Sequence, residues 1–243
     1  MDDLRIQIVN YKTKKYLLEC LESVFRDLEN SSITYNVAIL DNASGDDLSD
    51  INSLFPKKNI EIIMSQKNLG FGEGHNVLAQ NKEACYLLLL NPDIKIIEPK
   101  SIDRLIKNIQ IMFADVLGPR LITQENKTQH WDHGELEGPI AKIASAIGRS
   151  YWKERGKPLA VAWVSGAVFL IKKDRFDTIG GFDKNFFLYK EEEDVCLRIR
   201  HNGGIVFYDP TISVFHYGSV VAKKSEHMEN SRAYFMKKHF GKK

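Results

Sequence analysis

Apolar and polar side chains alternate over Leu4-Arg5-Ile6-Gln7-Ile8-Val9, the period of a strand. The period then changes. Leu17, Leu21, Val24 and Leu28 recur at helical spacing, Leu18 and Phe25 widen the stripe, and Thr13 offers a capping hydroxyl ahead of it. Val37-Ala38-Ile39-Leu40 predicts a short strand ending at Asp41. Residues 59–64 predict another strand, and 72–82 a helix. Residues 86–90 form a wholly apolar strand that ends at Asn91-Pro92-Asp93. Ile102, Leu105, Ile109 and Met112 mark a helix over 101–112, and 115–117 begin a further strand. Strands alternating with helices predict an α/β fold with a mostly parallel sheet flanked by helices, whose ligands bind at the carboxyl ends of the strands. Asp41 and Asp93 lie just past two such ends and could face one crevice, although Asp41-Asn42-Ala43-Ser44-Gly45 is also good turn chemistry.

The second half is patterned differently. Residues 124–157 are polar and carry four glycines (Gly134, Gly138, Gly148, Gly156) with Trp131, Tyr151 and Trp152, which reads as a long irregular, functional region. Residues 162–172 predict a strand or strand pair broken at Gly166. A helix over 191–201 is ended by Gly203-Gly204. Residues 205–208 and 212–215 predict two short strands around an Asp209-Pro210 turn, and 226–240 a basic C-terminal helix. No linker separates the halves. The expectation is one domain over 1–243, with 1–120 as a nucleotide-binding half and 121–243 as an acceptor and catalytic half.

Charge adds an exclusion. Lys and Arg number 34 against 32 Asp and Glu, a net charge of +2, so nucleic acid is not expected as a partner. Cys20, Cys85 and Cys196 are odd in number and lack a CxxC pair. They read as small core residues in a reducing, cytoplasmic setting rather than as a disulfide framework. No uncharged stretch reaches the roughly 20 residues of a spanning helix. The first glycine is Gly45, so the turn after the first strand, Asn10-Tyr11-Lys12-Thr13, lacks the glycines that a dinucleotide fingerprint or a P-loop requires. Those readings and a nucleotidyltransferase are disfavoured. Phosphates must be held otherwise, and a divalent cation is the obvious substitute.

Four constellations carry candidate chemistry. Asp93 sits at the sheet edge after a proline that stops the ladder, and one carboxylate there, with diphosphate oxygens, can satisfy Mg²⁺ or Mn²⁺. Asn68-Leu69-Gly70-Phe71-Gly72-Glu73-Gly74-His75-Asn76 lets backbone approach a ligand and places a helix start where its N–H groups could face an anion. Glu191-Glu192-Glu193-Asp194 sets four acids at a helix start, more than the helix dipole explains, and a carboxylate there could be a general base. His216, after the Val214-Phe215 strand, could complete a metal shell with Asp93.

Taken together, these segments resemble glycosyltransferase family 2, of GT-A fold, and most of all its bacterial rhamnosyltransferase branch. The matching segments are Ile8-Val9-Asn10-Tyr11, Asp41-Asn42-Ala43-Ser44, 68–76, 88–93, Val164-Ser165-Gly166-Ala167, Gly180-Gly181-Phe182-Asp183 through Arg198, and His216-Tyr217-Gly218-Ser219. They run in order along nearly the whole chain. The resemblance implies that Val9, Tyr11 and Asp41 hold the nucleobase and ribose. It implies that Asn68, Gly70, Asn76 and Asn91 line the nucleotide-sugar pocket, that Asp93 and His216 contact the metal or diphosphate, and that Trp163 and Gly166 shape the sugar and acceptor side. Asn91 stands where the family's Asp-x-Asp element has its first carboxylate. Glu192 falls on the position of the base, one methylene longer than the usual Asp, with Glu191 and Asp194 as further candidates.

The implied activity is inverting, metal-dependent transfer of a sugar from a nucleotide-diphosphate donor to a glycan or lipid-linked acceptor in bacterial polysaccharide or O-antigen synthesis. dTDP-L-rhamnose is the expected donor and a UDP-hexose the runner-up. A catalytically silent sugar-nucleotide or glycan-binding domain is the reading from another class. The basic C-terminal helix, with Arg232, Lys237, Lys238, His239 and the terminal Lys242-Lys243, is either a solvated face or a peripheral contact with anionic lipid on the inner face of the membrane.

Overall fold

The computed structural model describes residues 2–80, 83–146, 149–218 and 224–241; Lys82, Gly148, Ser219, Lys242 and Lys243 of the sequence readings lie outside the described residues. The first half builds β1 (Asp2–Asn10), α1 (Lys14–Asp27), β2 (Tyr35–Asp41), the short α2 (Ile51–Leu54), β3 (Ile60–Met64), α3 (Phe71–Ala79), β4 (Ala84–Leu90), β5 (Ile94–Ile96), α4 (Ser101–Ile111) and β6 (Val116–Ile122). The pattern predicts all of these except the short α2 and β5. The second half contributes β7 (His133–Gly134), α5 (Pro139–Ala146), β8 (Leu159–Ala160), β9 (Trp163–Val164), β10 (Val168–Lys172), α6 (Lys173–Thr178), α7 (Glu191–His201), β11 (Val206–His216) and α8 (Lys224–Phe240).

The main sheet runs β3-β2-β1-β4-β10-β6-β11-β5, with β8 on β11. β3, β2, β1 and β4 are parallel, β10 is antiparallel to both β4 and β6, and β11 is parallel to β6. Helices cover both faces. Leu88 and Leu90 of β4 join the core under α1 and α4, whereas Leu87 and Leu89 join the core under α6 and α7. A strand buried on both faces has no polar positions to spare, which accounts for the unbroken apolar run.

Several local readings change. Residues 206–216 form one continuous strand, not two around a turn, because Asp209-Pro210 sits in a register shift between Asp209 and Ser213. Asp209 closes that irregularity by accepting from Thr211 N–H at 2.9 Å. The stretch expected to be irregular contains α5, β7 and the tail of β6's hairpin-like bridge at Thr128. Cys20 and Cys196 are buried, but Cys85 is exposed on β4's outer end. Thr13 does not cap α1 with its side chain; its hydroxyl donates to Asn10 Oδ1 at 2.8 Å. The Asp46 carboxylate takes the free N–H groups of Thr13 and Lys14 instead, at 3.0 and 3.2 Å.

Arg5 is 1% exposed on β1 and ties the parallel half together. Its guanidinium donates to the Leu78 carbonyl of α3 at 2.7 Å, to Asn36 of β2, and to Glu61 of β3 at 2.9 Å. Arg5→Met keeps the apolar stem but leaves the Leu78 carbonyl and Asn36 without their donor. It should cost about 2–4 kcal/mol. In urea unfolding this reads as a lower midpoint at unchanged slope.

Candidate functional site

At the carboxyl ends of the parallel strands a cavity of about 910 Å³ opens. Its sheet-side wall follows from strand register. β5 pairs antiparallel with β11 so that Ile94 faces His216, which leaves Asp93, one residue earlier, beside the imidazole. The Tyr217 N–H donates to the Asp93 carbonyl at 3.0 Å and locks the pair. His216 Nε2 lies 3.3 Å from Asp93 Oδ1 and 3.4 Å from Asn91 Nδ2. His216 Nδ1 faces Gln129 Oε1 at 2.8 Å, so Nδ1 carries the hydrogen and Nε2 presents its lone pair toward Asp93. Both side chains are less than a tenth exposed.

A carboxylate beside the lone pair of an oriented imidazole suits a divalent cation that takes its other ligands from a diphosphate and water. Among the described residues no group of three or more His, Cys, Asp or Glu is gathered for a metal, so the protein offers this pair alone. The usual phosphate grip of such sheets is closed off. The first helix N-terminus, which would face an anion, already holds the Asp46 carboxylate.

The opposite wall is the start of α7. Tyr189 and Lys190 both have positive φ, 71° each, and this sharp reversal points the first turn of the helix into the cavity. Glu191, Glu192 and Glu193 line it. Glu193 is paired, accepting from Lys190 Nζ at 2.6 Å and Ser150 Oγ at 2.7 Å. Glu191 Oε2, Glu192 Oε2 and the Tyr189 hydroxyl are enclosed with no protein partner. Burial, then the neighbouring charge of Glu192, raises the Glu191 carboxyl well above its ordinary range. Burial, then Glu193, pushes Glu192 up to about 7, the α7 amide and Lys190 offsetting part of the rise. Glu192 is therefore poised to exchange a proton near neutrality.

Gly70 joins the two walls. Its φ is +80°, and a Cβ there would lie 2.1 Å from the Phe187 carbonyl oxygen, which accepts the Phe71 N–H at 3.0 Å. The other two glycines of that motif serve packing rather than an anion: a Cβ would meet Phe182 at Gly72, and Val9 and Leu40 at Gly74. Trp163 stands behind the acid strip, its indole N–H donating to Ser150 Oγ at 3.1 Å. The chain carrying that wall is fixed from behind by a buried cluster. Asp132 accepts from Tyr208 at 2.7 Å and Trp152 at 2.9 Å and sits 2.7 Å from His133 Nδ1. Arg155 grips Glu135 through two bonds of 2.5 and 2.6 Å. These outweigh burial and hold that carboxyl below its ordinary value.

Of the expected site residues, Val9, Tyr11, Asn68, Gly70, Asn91, Asp93, Trp163, Gly166, Glu191, Glu192 and His216 all line this cavity. Three do not. Asp41 turns into its own loop, accepting from Asn10 Nδ2 at 2.9 Å, Ser44 N–H at 3.1 Å and the Ser44 hydroxyl, and Asn42 reaches the cavity in its place. Asn76 clamps α3 to the 180s loop, donating to the Phe182 carbonyl and accepting its N–H. Asp194 is fully buried on the far side of α7, where it pairs with Arg198 at 2.7 Å, Lys238 at 2.6 Å and His239 at 2.7 Å.

The same contacts revise the C-terminal helix. Lys238 also pairs with Asp183 at 2.7 Å, and Phe235 is buried, so much of the helix's basic and aromatic character is used in docking to the body. Arg232 lines the cavity instead. Among the described residues no helix is long and apolar enough to cross a membrane. The sequence also gave little notice of Asn42, Gln129, Tyr189 and Arg149 as lining residues. Only Asn42 carried a signal, as the neighbour of a strand-end Asp.

Comparison with known proteins agrees with this architecture. The profile described as "Glycosyl transferase family 2" matches residues 6–179. The N-acetylglucosaminyl-diphospho-decaprenol L-rhamnosyltransferase of Mycobacterium tuberculosis is 26% identical over 240 residues, covering 89% of this chain and 76% of that protein. Rhamnosyltransferase WbbL of Escherichia coli K12 is 26% identical over 226 residues, covering 87% and 82%. The structure of GalNAc-T7 with UDP, GalNAc and Mn²⁺ superposes with a TM-score of 0.72 at 14% identity. It covers 98% of this chain, which spans only 48% of that one, and the likeness is one of fold.

Removing the enclosed carboxylate gives a stability test. A carboxyl whose pKa is higher folded than unfolded loses stability as pH rises from about 4.5 through about 7. Glu192→Gln should match wild type near pH 4 and exceed it by about 1–3 kcal/mol at pH 8, as read by urea unfolding across that range.

Proposed function

The chain belongs to glycosyltransferase family 2 and has the GT-A fold, and from that premise we propose that it transfers a sugar, with inversion, from a nucleotide-diphosphate donor to a glycan or lipid-linked acceptor in glycan synthesis. The observation that carries this is the cavity itself. One wall offers a carboxylate and an oriented imidazole, and the other an enclosed carboxyl poised near neutrality. dTDP-L-rhamnose is the proposed donor, supported by the two rhamnosyltransferases among the relatives.

In this reading the nucleoside lies along Val9, Tyr11 and Asn42, and Asn68 and Gly70 shape the turn beneath it. Asp93 and His216 would hold Mg²⁺ or Mn²⁺, which when bound supplies positive charge to the departing diphosphate. Gln129 keeps the imidazole in the tautomer that can donate its lone pair. Glu192, ionised, accepts the proton of an acceptor hydroxyl. The hydroxyl oxygen bonds to the anomeric carbon as the bond from that carbon to the diphosphate oxygen breaks on the opposite face. No enzyme nucleophile takes part. Burial and the charge of Glu192 raise the Glu191 carboxyl well above its ordinary range, which disfavours a second negative charge beside Glu192. Trp163 and Gly166 bound the space left for the sugar.

Calorimetric titration with dTDP and UDP, each with and without Mn²⁺, tests the donor. Metal-dependent binding that favours dTDP is expected, with the metal dependence lost in Asp93→Asn and weakened in His216→Ala. A preference for UDP overturns the rhamnose assignment but keeps the enzyme class, and no binding of either by folded protein overturns both. For the base, Glu192→Gln should leave nucleotide affinity nearly intact and cut turnover by ~10²-fold or more. The wild-type rate should rise with pH through about 7. Wild-type turnover in that variant would remove Glu192 from the role.

A further inference from the structure

Glu193 is the third residue of α7, where a glutamate ordinarily reaches back to the N–H that opens its own helix. Among the described residues it makes no such bond. Its Oε1 accepts from Lys190 Nζ at 2.6 Å and its Oε2 from Ser150 Oγ at 2.7 Å. Ser150 Oγ in turn accepts the Trp163 indole N–H at 3.1 Å. Donors thus run from Trp163 to Ser150 to Glu193, and Lys190 closes the other end. The Glu193 and Lys190 side chains are each 13% exposed, so solvent screens the pair little.

The members of this chain belong to different pieces of the site. Lys190 is the second of two successive left-handed residues, and such a turn persists where its surroundings over-determine it. Its ion pair with Glu193 brackets Glu191 and Glu192, the two acids between them. Phe235 of α8 holds the same ammonium, 5.7 Å from its ring centroid. Trp163 is fixed as closely. β9 pairs with β7 so that Gly134 faces it, and a Cβ at Gly134 would lie 2.0 Å from the indole nitrogen. Ser150 lines the cavity and bridges the turn to the indole.

We propose that Glu193 is a positioning residue for the transfer: clamped between Lys190 and Ser150, it holds the turn that carries Glu192 at a fixed spacing from the Trp163 wall and keeps a negative charge beside the base. This rests on the glycosyltransferase reading, in which Glu192 takes the acceptor's proton and Trp163 bounds the sugar, and adds what keeps the two in register. It also gives the strength of the base a source. After burial, the charge of Glu193 is the main cause that pushes Glu192 up to about 7, and Lys190 offsets part of it. On its own turn Glu192 also shares the cavity with Glu191 and Tyr189. From other elements Arg149, Arg232, His130, His227 and the Asp93–His216 pair line it. Neutralising Glu193 leaves all of these in place, so a moved midpoint reports Glu193 and the lysine it releases.

The test is nuclear magnetic resonance of the full chain, labelled at glutamate carboxyl carbons and at the indole nitrogens of its three tryptophans. Glu192 and Trp163 are identified by the resonances lost in Glu192→Gln and Trp163→Phe. In Glu193→Gln the Glu192 midpoint should fall by about 1 pH unit from about 7, and the Trp163 indole resonance should move. In Ser150→Ala the indole resonance should move while the midpoint stays. Lys190→Met, which leaves the charge of Glu193 uncompensated, should raise the midpoint and carries the test if the amide variant does not fold. Release of dTDP from dTDP-L-rhamnose should follow. In Glu193→Gln its rise with pH shifts to lower pH by the same amount, its plateau drops by ~10-fold, and Glu193→Asp, which keeps the charge, restores the wild-type limb. A Glu192 midpoint indifferent to both Glu193→Gln and Lys190→Met, or a loss of rate equal at every pH, overturns the proposal. So does a Trp163 resonance that ignores Glu193→Gln. Wild-type turnover in Glu192→Gln refutes the base assignment by itself, and the two resonances still decide whether Glu193 joins the turn to the wall.

Discussion

The architecture depends on one strand. β10 comes from the second half of the chain yet inserts antiparallel between β4 and β6, two strands of the first half. Leu170 pairs with Leu88 on one side and Leu117 on the other, so the register of this strand fixes both neighbours. The loop that feeds it, Ser165-Gly166-Ala167, is thereby laid across the end of β4, where the Ala167 carbonyl accepts the Asn91 N–H at 2.9 Å. Without that insertion the Asn91–Asp93 edge and the Trp163–Gly166 wall would have no common frame.

A second constraint is electrostatic. A doubly wound sheet usually receives phosphate on the N–H groups of its first helix. Here the protein has given those groups to its own Asp46, which Asn10 also steadies at 2.9 Å. Under the proposed function a diphosphate is held instead along the sheet edge at Asp93 and His216, opposite the strip of acids. Glu191 and Glu192 tolerate confinement because their carboxyls hold protons well above the ordinary range. The same confinement destabilises the ionised form, a local cost carried by a core packed on both faces of β4.

Much of this was legible in the sequence, for identifiable reasons. Strand and helix periods named the parallel half, because each of its elements buries a regular face. The wholly apolar 86–90 run pointed to the strand at the centre. The turn after β1 carries no glycine, and in the structure the N–H groups at the start of α1 are taken by a carboxylate 32 residues away from Lys14. What sequence could not give was direction. Asp41 and Asn42 are adjacent at a strand end, and only the loop's hydrogen bonds decide that the first turns inward and the second outward. Asp194 differs from Glu191 by three positions, close to one helical turn, yet the basic C-terminal helix reaches it and draws it away from the cavity. Contacts between distant segments carry no local periodicity, so α5 and the irregular 124–157 stretch were the least readable part.

The buried cluster of Asp132, His133, Tyr208, Glu135 and Arg155 has a consequence for how such an enzyme diversifies. It ties Asp132 to Tyr208 of β11, stacks His133 on the same ring, and joins Glu135 to Arg155. Trp131 and Arg149, which line the cavity from the same segment, take no part in that cluster and bear little of the folding burden. Substitutions there are free to drift and be screened by selection for a new acceptor while the anchor and the nucleotide half stay intact. Under the proposed function the wall is in effect an exchangeable cassette, and its partition from the sheet makes a change of acceptor a short evolutionary step.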